Sequence, residues 1–171
     1  KNPFHYIKFN NLLSSLDDPN RFIDLLISET DKFQVVYNLS NTSTTNGFQT
    51  VSNLFNFNIP VLTILENLIK KQIHDYKISY SDSESGLINK WPNNYHIKSW
   101  CVRLLKSGYQ DSHIHPEGWL SGVFYLKVPK KLSENNQGAI EFSLHGYNYN
   151  FMKKNTEQII YKPKVGDLII F

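Results

Sequence analysis

The stretch "DSHIHPEGWLSGVFYLKVP", residues 111–129, sets two histidines one residue apart, follows them with Pro116, Glu117 and Gly118, and closes in a bulky apolar run. The aromatic and branched residues of 119–128 predict a strand, and Pro116 suits its entrance, where a missing N–H costs no ladder bond. In an extended chain residues i and i+2 point the same way, so His113, His115 and Glu117 would leave one side together. Two imidazoles and a carboxylate are ligand types that suit divalent iron and leave coordination positions open. Two solvated loop histidines have the same spacing, so the pattern alone leaves both readings standing.

Outward from this stretch the chain reads mainly as strands. On the N-terminal side, "HIKSWCVRLLK", residues 96–106, alternates with period two. On the C-terminal side, 138–144, 147–152, 157–161 and 167–171 are further strand candidates, separated by polar turns. The best helix starts near Pro60 and runs to about Tyr76, with Val61, Ile64, Leu65, Leu68, Ile69 and Ile73 as a buried stripe. A shorter helix is predicted around "DPNRFIDLLIS", with Phe22, Leu25 and Leu26 facing inward, and "NLSNTSTTNG", 38–47, reads as a loop. Helices followed by a succession of short strands argue for a mainly β fold with flanking helices, a sandwich or barrel of antiparallel strands.

At 171 residues the chain is large enough to bury a core without covalent staples. Its single cysteine, Cys101, excludes an intramolecular disulfide and a thiolate metal cluster, and points to a reducing, cytoplasmic compartment. The formal charge of +3 is spread over scattered lysines with no basic block, so nucleic acid is not an indicated partner. Apolar runs are too short to span a bilayer, so no membrane association is expected. The chain starts at Lys1 and stops inside the apolar run "VGDLIIF", which predicts that it is an excerpt of something longer.

The segment 97–128, "W-C-V-R-L-L-K-S-G-Y-Q-D-S-H-I-H-P-E-G-W-L-S-G-V-F-Y-L" at its centre, resembles the iron(II)- and 2-oxoglutarate-dependent oxygenases, in particular a branch with the signature H-x-H-P-x-x-W-L-S-G-V-Y-Y-L. Weaker likenesses follow in order at "NGFQT" (46–50), "KWP", "GAIEF" (138–142) and "PKVGDLIIF" (163–171). The resemblance implies a double-stranded β-helix, a jelly-roll or cupin-like barrel that is C-terminally incomplete. It divides the chain into an N-terminal segment, 1–45, possible tail of a preceding module, and an oxygenase-like domain, 46–171, truncated before a distal histidine. It also implies iron(II) and 2-oxoglutarate as cofactors and a dioxygenase, a hydroxylase of unspecified substrate, although the excerpt itself would be a poor enzyme.

Residue by residue, the resemblance places His113 at the first iron ligand. His115 falls where more distant relatives carry an aspartate, so that either His115 ligates or the carboxylate role passes to Glu117 or to water. Arg103, Ser121 and Tyr125 are candidates for holding the cosubstrate, the guanidinium because it can grip a carboxylate with two parallel hydrogen bonds. Trp100 and Trp119 are candidates for a substrate pocket. His145, beside Gly146 in a turn, is a poor third ligand. Two alternatives stay open: a cupin-type metalloprotein, which also uses H-x-H followed by a glutamate, and a non-catalytic β-sandwich binding a glycan or peptide through Trp119, Tyr147 and Tyr149. Small-molecule cosubstrate apart, the sequence names no partner, substrate or oligomeric state.

Overall fold

The branched and aromatic segments pair as antiparallel strands. In the computed structural model, which describes residues 2–129, 136–144 and 157–171, the order is β1 (Lys8–Asn11), α1 (Pro19–Thr30), β2 (Val35–Tyr37), β3 (Thr44–Thr50), α2 (Pro60–Ser79), α3 (Gly86–Asn89), β4 (Val102–Gln110), β5 (Gly122–Phe124), β6 (Ile140–Ser143), β7 (Gln158–Tyr161) and β8 (Asp167–Ile170). The fold is thus mainly β with a few helices, as expected. The described strands make three small sheets, β1-β8-β5, β2-β3-β4 and β6-β7, and no pairing among the described residues closes them into a barrel. The expected strand 147–152, with His145, Tyr147 and Tyr149, lies outside the described residues. No helix among the described residues is long and apolar enough to cross a membrane.

The chain divides into two units, one of residues 1–19 with 112–171, the other of residues 20–111. In the first, β8 lies between β1 and β5, and Ile169 stands opposite both Phe9 and Val123. All four β8 residues are buried, which explains why "DLII" is a continuous rather than an alternating apolar run: a central strand is covered on both faces. Backbone bonds between Ser121 and Phe171 and from Tyr125 N to the Asp167 carbonyl lengthen the β5–β8 ladder at both ends. The hairpin β6–β7 joins this sheet through rings, Phe9 lying 4.5 Å from Tyr161 and Phe142 4.9 Å from Phe171 by ring centroids. β1 lies ahead of the predicted helix in the N-terminal segment; a four-residue strand whose partner lies far along the chain has no local signal.

Gly166 begins β8 with φ of +86°, and a Cβ there would run into the Leu13 side chain. Gly166→Ala should therefore cost about 2 kcal/mol, from the left-handed backbone and the collision together. A denaturation midpoint indistinguishable from the parent chain would show that the turn relaxes freely.

In the second unit α1 buries Phe22, Ile23, Leu26 and Thr30. The buried stripe therefore runs one position away from the expected one, leaving Leu25 exposed. α2 begins at Pro60, where a missing N–H is harmless in the first turn, and buries Val61, Leu62, Leu65 and Tyr76. Ile64, expected in the stripe, is exposed, because Leu62 centres the apolar face on the other side of Val61 and Leu65.

The strand expected over 96–106 starts later, at Val102. Ahead of it the chain is held by side chains instead: Asn53 Oδ1 accepts from the Ser99 backbone N–H and hydroxyl, its Nδ2 donates to the Ile97 carbonyl, and Thr50 Oγ1 accepts from Cys101 N at 2.9 Å. The loop expected over 38–47 is strand from Thr44 onward. Within the β3–β4 ladder Thr45 faces Tyr109 and Gly47 faces Leu104, so the segment Leu105–Gly108 bulges opposite Asn46 alone. Alternation is broken there, and Leu104 and Leu105 are both exposed.

Candidate metal centre

His113 and His115 lie in the irregular segment between β4 and β5, not on a strand, and the strand expected over 119–128 is reduced to Gly122–Phe124. The chain turns at once after the second histidine, with Gly118 N donating to the His115 carbonyl at 3.0 Å. Even without strand geometry the two rings meet: their centroids are 4.9 Å apart and their planes 83° apart, edge to face. Both histidines are half-buried, while Ile114, Pro116, Glu117 and Trp119 around them are exposed.

Burial, and secondarily the neighbouring His113, push the His115 pKa below its ordinary value. The shift favours the neutral ring, whose nitrogen lone pair is the metal-binding form. This donor pair fits a divalent metal ion as two of its ligands. Among the described residues no three His, Cys, Asp or Glu side chains are grouped so as to hold a metal ion, so the histidine pair stands as two donors.

Tyr125 and Ser121 flank β5 in the same unit as the histidines. The Tyr125 hydroxyl is pushed up to about 12, first by burial, then by the Asp167 carboxylate and Tyr161. It remains a neutral donor throughout the physiological range. Because its folded pKa lies above the unfolded one, its contribution to stability is complete below about pH 10 and is lost as pH rises through about 12. Tyr125→Phe removes that dependence, so between pH 10 and 12 the variant should gain on the parent chain by on the order of 1 kcal/mol in denaturant titrations, after allowance for partial exposure. Parallel pH curves for the two proteins would contradict the shift.

Asp167 was not singled out from the sequence, yet it organises this neighbourhood. Its buried carboxylate accepts from Asn11 Nδ2 at 2.9 Å, from the Tyr161 hydroxyl at 2.8 Å and from Lys164 N at 2.7 Å. The Tyr161–Asp167 bond is the chief reason the Tyr161 hydroxyl is also raised. The only signal in the sequence is an acidic residue inside the run "VGDLIIF", where a lone charge must find partners.

Arg103 and Trp100 belong to the other unit. Arg103 already grips an anion there, with Nη2 2.8 Å from Asp31 Oδ1 and 2.6 Å from the Thr30 carbonyl. Trp100 lines an open cleft of about 1000 Å³ together with Tyr95, His96, Asn53, Asn56 and Lys70. Trp100 and Trp119 are both exposed, so neither is a buried core residue.

Residues 98–171 match the family described as "Putative 2OG-Fe(II) oxygenase", which supports a 2-oxoglutarate/iron(II) oxygenase-like family. The match contains the histidine pair, Arg103, Ser121, Tyr125 and the β8 segment. Nothing matches among curated proteins or among solved structures.

Proposed function

We propose, from the oxygenase-like character of residues 98–171, that the protein is an iron(II)- and 2-oxoglutarate-dependent dioxygenase that hydroxylates its substrate, built on a double-stranded β-helix. The observation that carries this reading is the contact between His113 and His115 inside the matched segment. These two imidazoles would hold the iron, the remaining protein ligand being Glu117 or another donor. Iron(II) with 2-oxoglutarate supplies oxidising power from molecular oxygen, the cosubstrate being decarboxylated to succinate. The chain's own contribution is binding, orientation and exclusion of water.

In this reading the Tyr125 hydroxyl, held protonated, and Ser121 donate hydrogen bonds to cosubstrate oxygens. Arg103, taken by itself, can exchange its Asp31 partner for a free carboxylate, because that ion pair is partly exposed. Trp119, exposed beside the histidines, offers flat apolar surface to a substrate. The reading is tested by incubating the full chain with iron(II), 2-oxoglutarate and oxygen and measuring succinate. Formation that requires all three supports it; no succinate above a metal-free control removes it.

A further inference from the structure

The packing of the β3–β4 bulge forces a chemically vulnerable dipeptide on the second unit. At position 47 a Cβ would press on Thr44 Cγ2 at 2.8 Å, the Arg103 carbonyl at 3.0 Å and Leu104 Cδ2 at 3.0 Å, so only glycine fits. Asn46 before it has φ of +52°, a left-handed conformation that asparagine tolerates better than other side chains. The result is the one Asn-Gly pair in the chain. Such a pair is prone to deamidation because glycine leaves its backbone nitrogen unshielded.

We propose that Asn46 is a latent deamidation site, kept intact by a cage of three hydrogen bonds and converted once the cage opens. Asn46 Nδ2 donates to the Lys106 carbonyl at 2.9 Å, and its Oδ1 accepts from the Tyr37 hydroxyl at 3.0 Å. The attacking nitrogen is also engaged, Gly47 N donating to Asn38 Oδ1 at 3.2 Å. Reaction requires that this nitrogen lose its proton and attack Asn46 Cγ. The new C–N bond closes a five-membered imide, the Cγ–Nδ2 bond breaks, and ammonia leaves with the proton. Water then opens the ring at either carbonyl, giving aspartate or isoaspartate with no change of oxidation state.

The product does not restore the cage. A carboxylate has no hydrogen to give to the Lys106 carbonyl and would face that oxygen with its own charge, so the bulge of β4 loses its fastening to β3. The conversion is therefore a one-way loosening of this sheet, triggered by local opening.

The test follows residue 46 by intact mass and peptide mapping at mildly alkaline pH and 37 °C, in buffer and in concentrated urea. The folded chain should convert at least about tenfold more slowly than the urea-treated chain, as expected if opening must break more than one hydrogen bond. Tyr37→Phe, which keeps the ring packed on Phe48, and Asn38→Gly, which tolerates the φ of +43° at that residue, should each speed conversion in buffer by about threefold to tenfold. Equal rates in buffer and urea would overturn the proposal, as would folded variants that convert no faster than the parent.

Discussion

Asp167→Ala should destabilise the protein by about 2–3 kcal/mol, a large loss for a substitution outside the apolar core. The carboxylate is buried and receives three hydrogen bonds, from Asn11, Tyr161 and Lys164. Alanine removes the shared acceptor of three part-buried donors; water reaches some of them, and those it does not reach carry the cost of an unsatisfied donor. Asn11 has a second acceptor in the Val165 carbonyl; Lys164 N and the Tyr161 hydroxyl bear most of the loss. Asp167→Asn should fall between, since one amide oxygen still accepts while its NH2 group faces donors. Denaturant midpoints of the three proteins check this, and a loss below about 1 kcal/mol for alanine would mean that the network relaxes or hydrates freely.

His113→Ala should lower iron(II) affinity, and with it any iron-dependent succinate formation, by at least about a hundredfold. His115→Ala should do the same, because two imidazoles in contact contribute to one site and removal of either leaves a single nitrogen donor. Glu117→Ala separates the alternatives for the third ligand. A comparable loss assigns the carboxylate to the metal, and a near-parental affinity assigns the position to another donor. Direct metal titration reads these effects without requiring turnover. Unchanged iron affinity in both histidine variants would end the oxygenase proposal.

Local order left a legible trace in the sequence, and long-range pairing did not. α2 could be read to within a few residues because Pro60 opens it and its apolar residues recur at helical spacing over several turns. The histidine pair stood out for a similar reason, its signal being contained in a few neighbouring residues. The physical premise behind it was different from what holds it, however: the rings meet across a loop and not along one side of a strand. β1 and β2 went unread because short strands acquire their identity from partners elsewhere, as Lys8–Asn11 does from Asp167–Ile170. The displaced start of β4 has a similar origin, since Asn53 and Thr50 satisfy the backbone around 97–101 before the ladder begins.

The discontinuous composition of the first unit bears on how the chain matures as it leaves the ribosome. Residues 20–111 are contiguous and can settle as they emerge, whereas Asn11 must wait for Asp167, 156 positions later. At a synthesis rate of about 5–20 residues per second that delay is roughly 8–30 s. Throughout it, Phe9 and the edge of the first strand stay without the β8 partners that cover them in the folded unit.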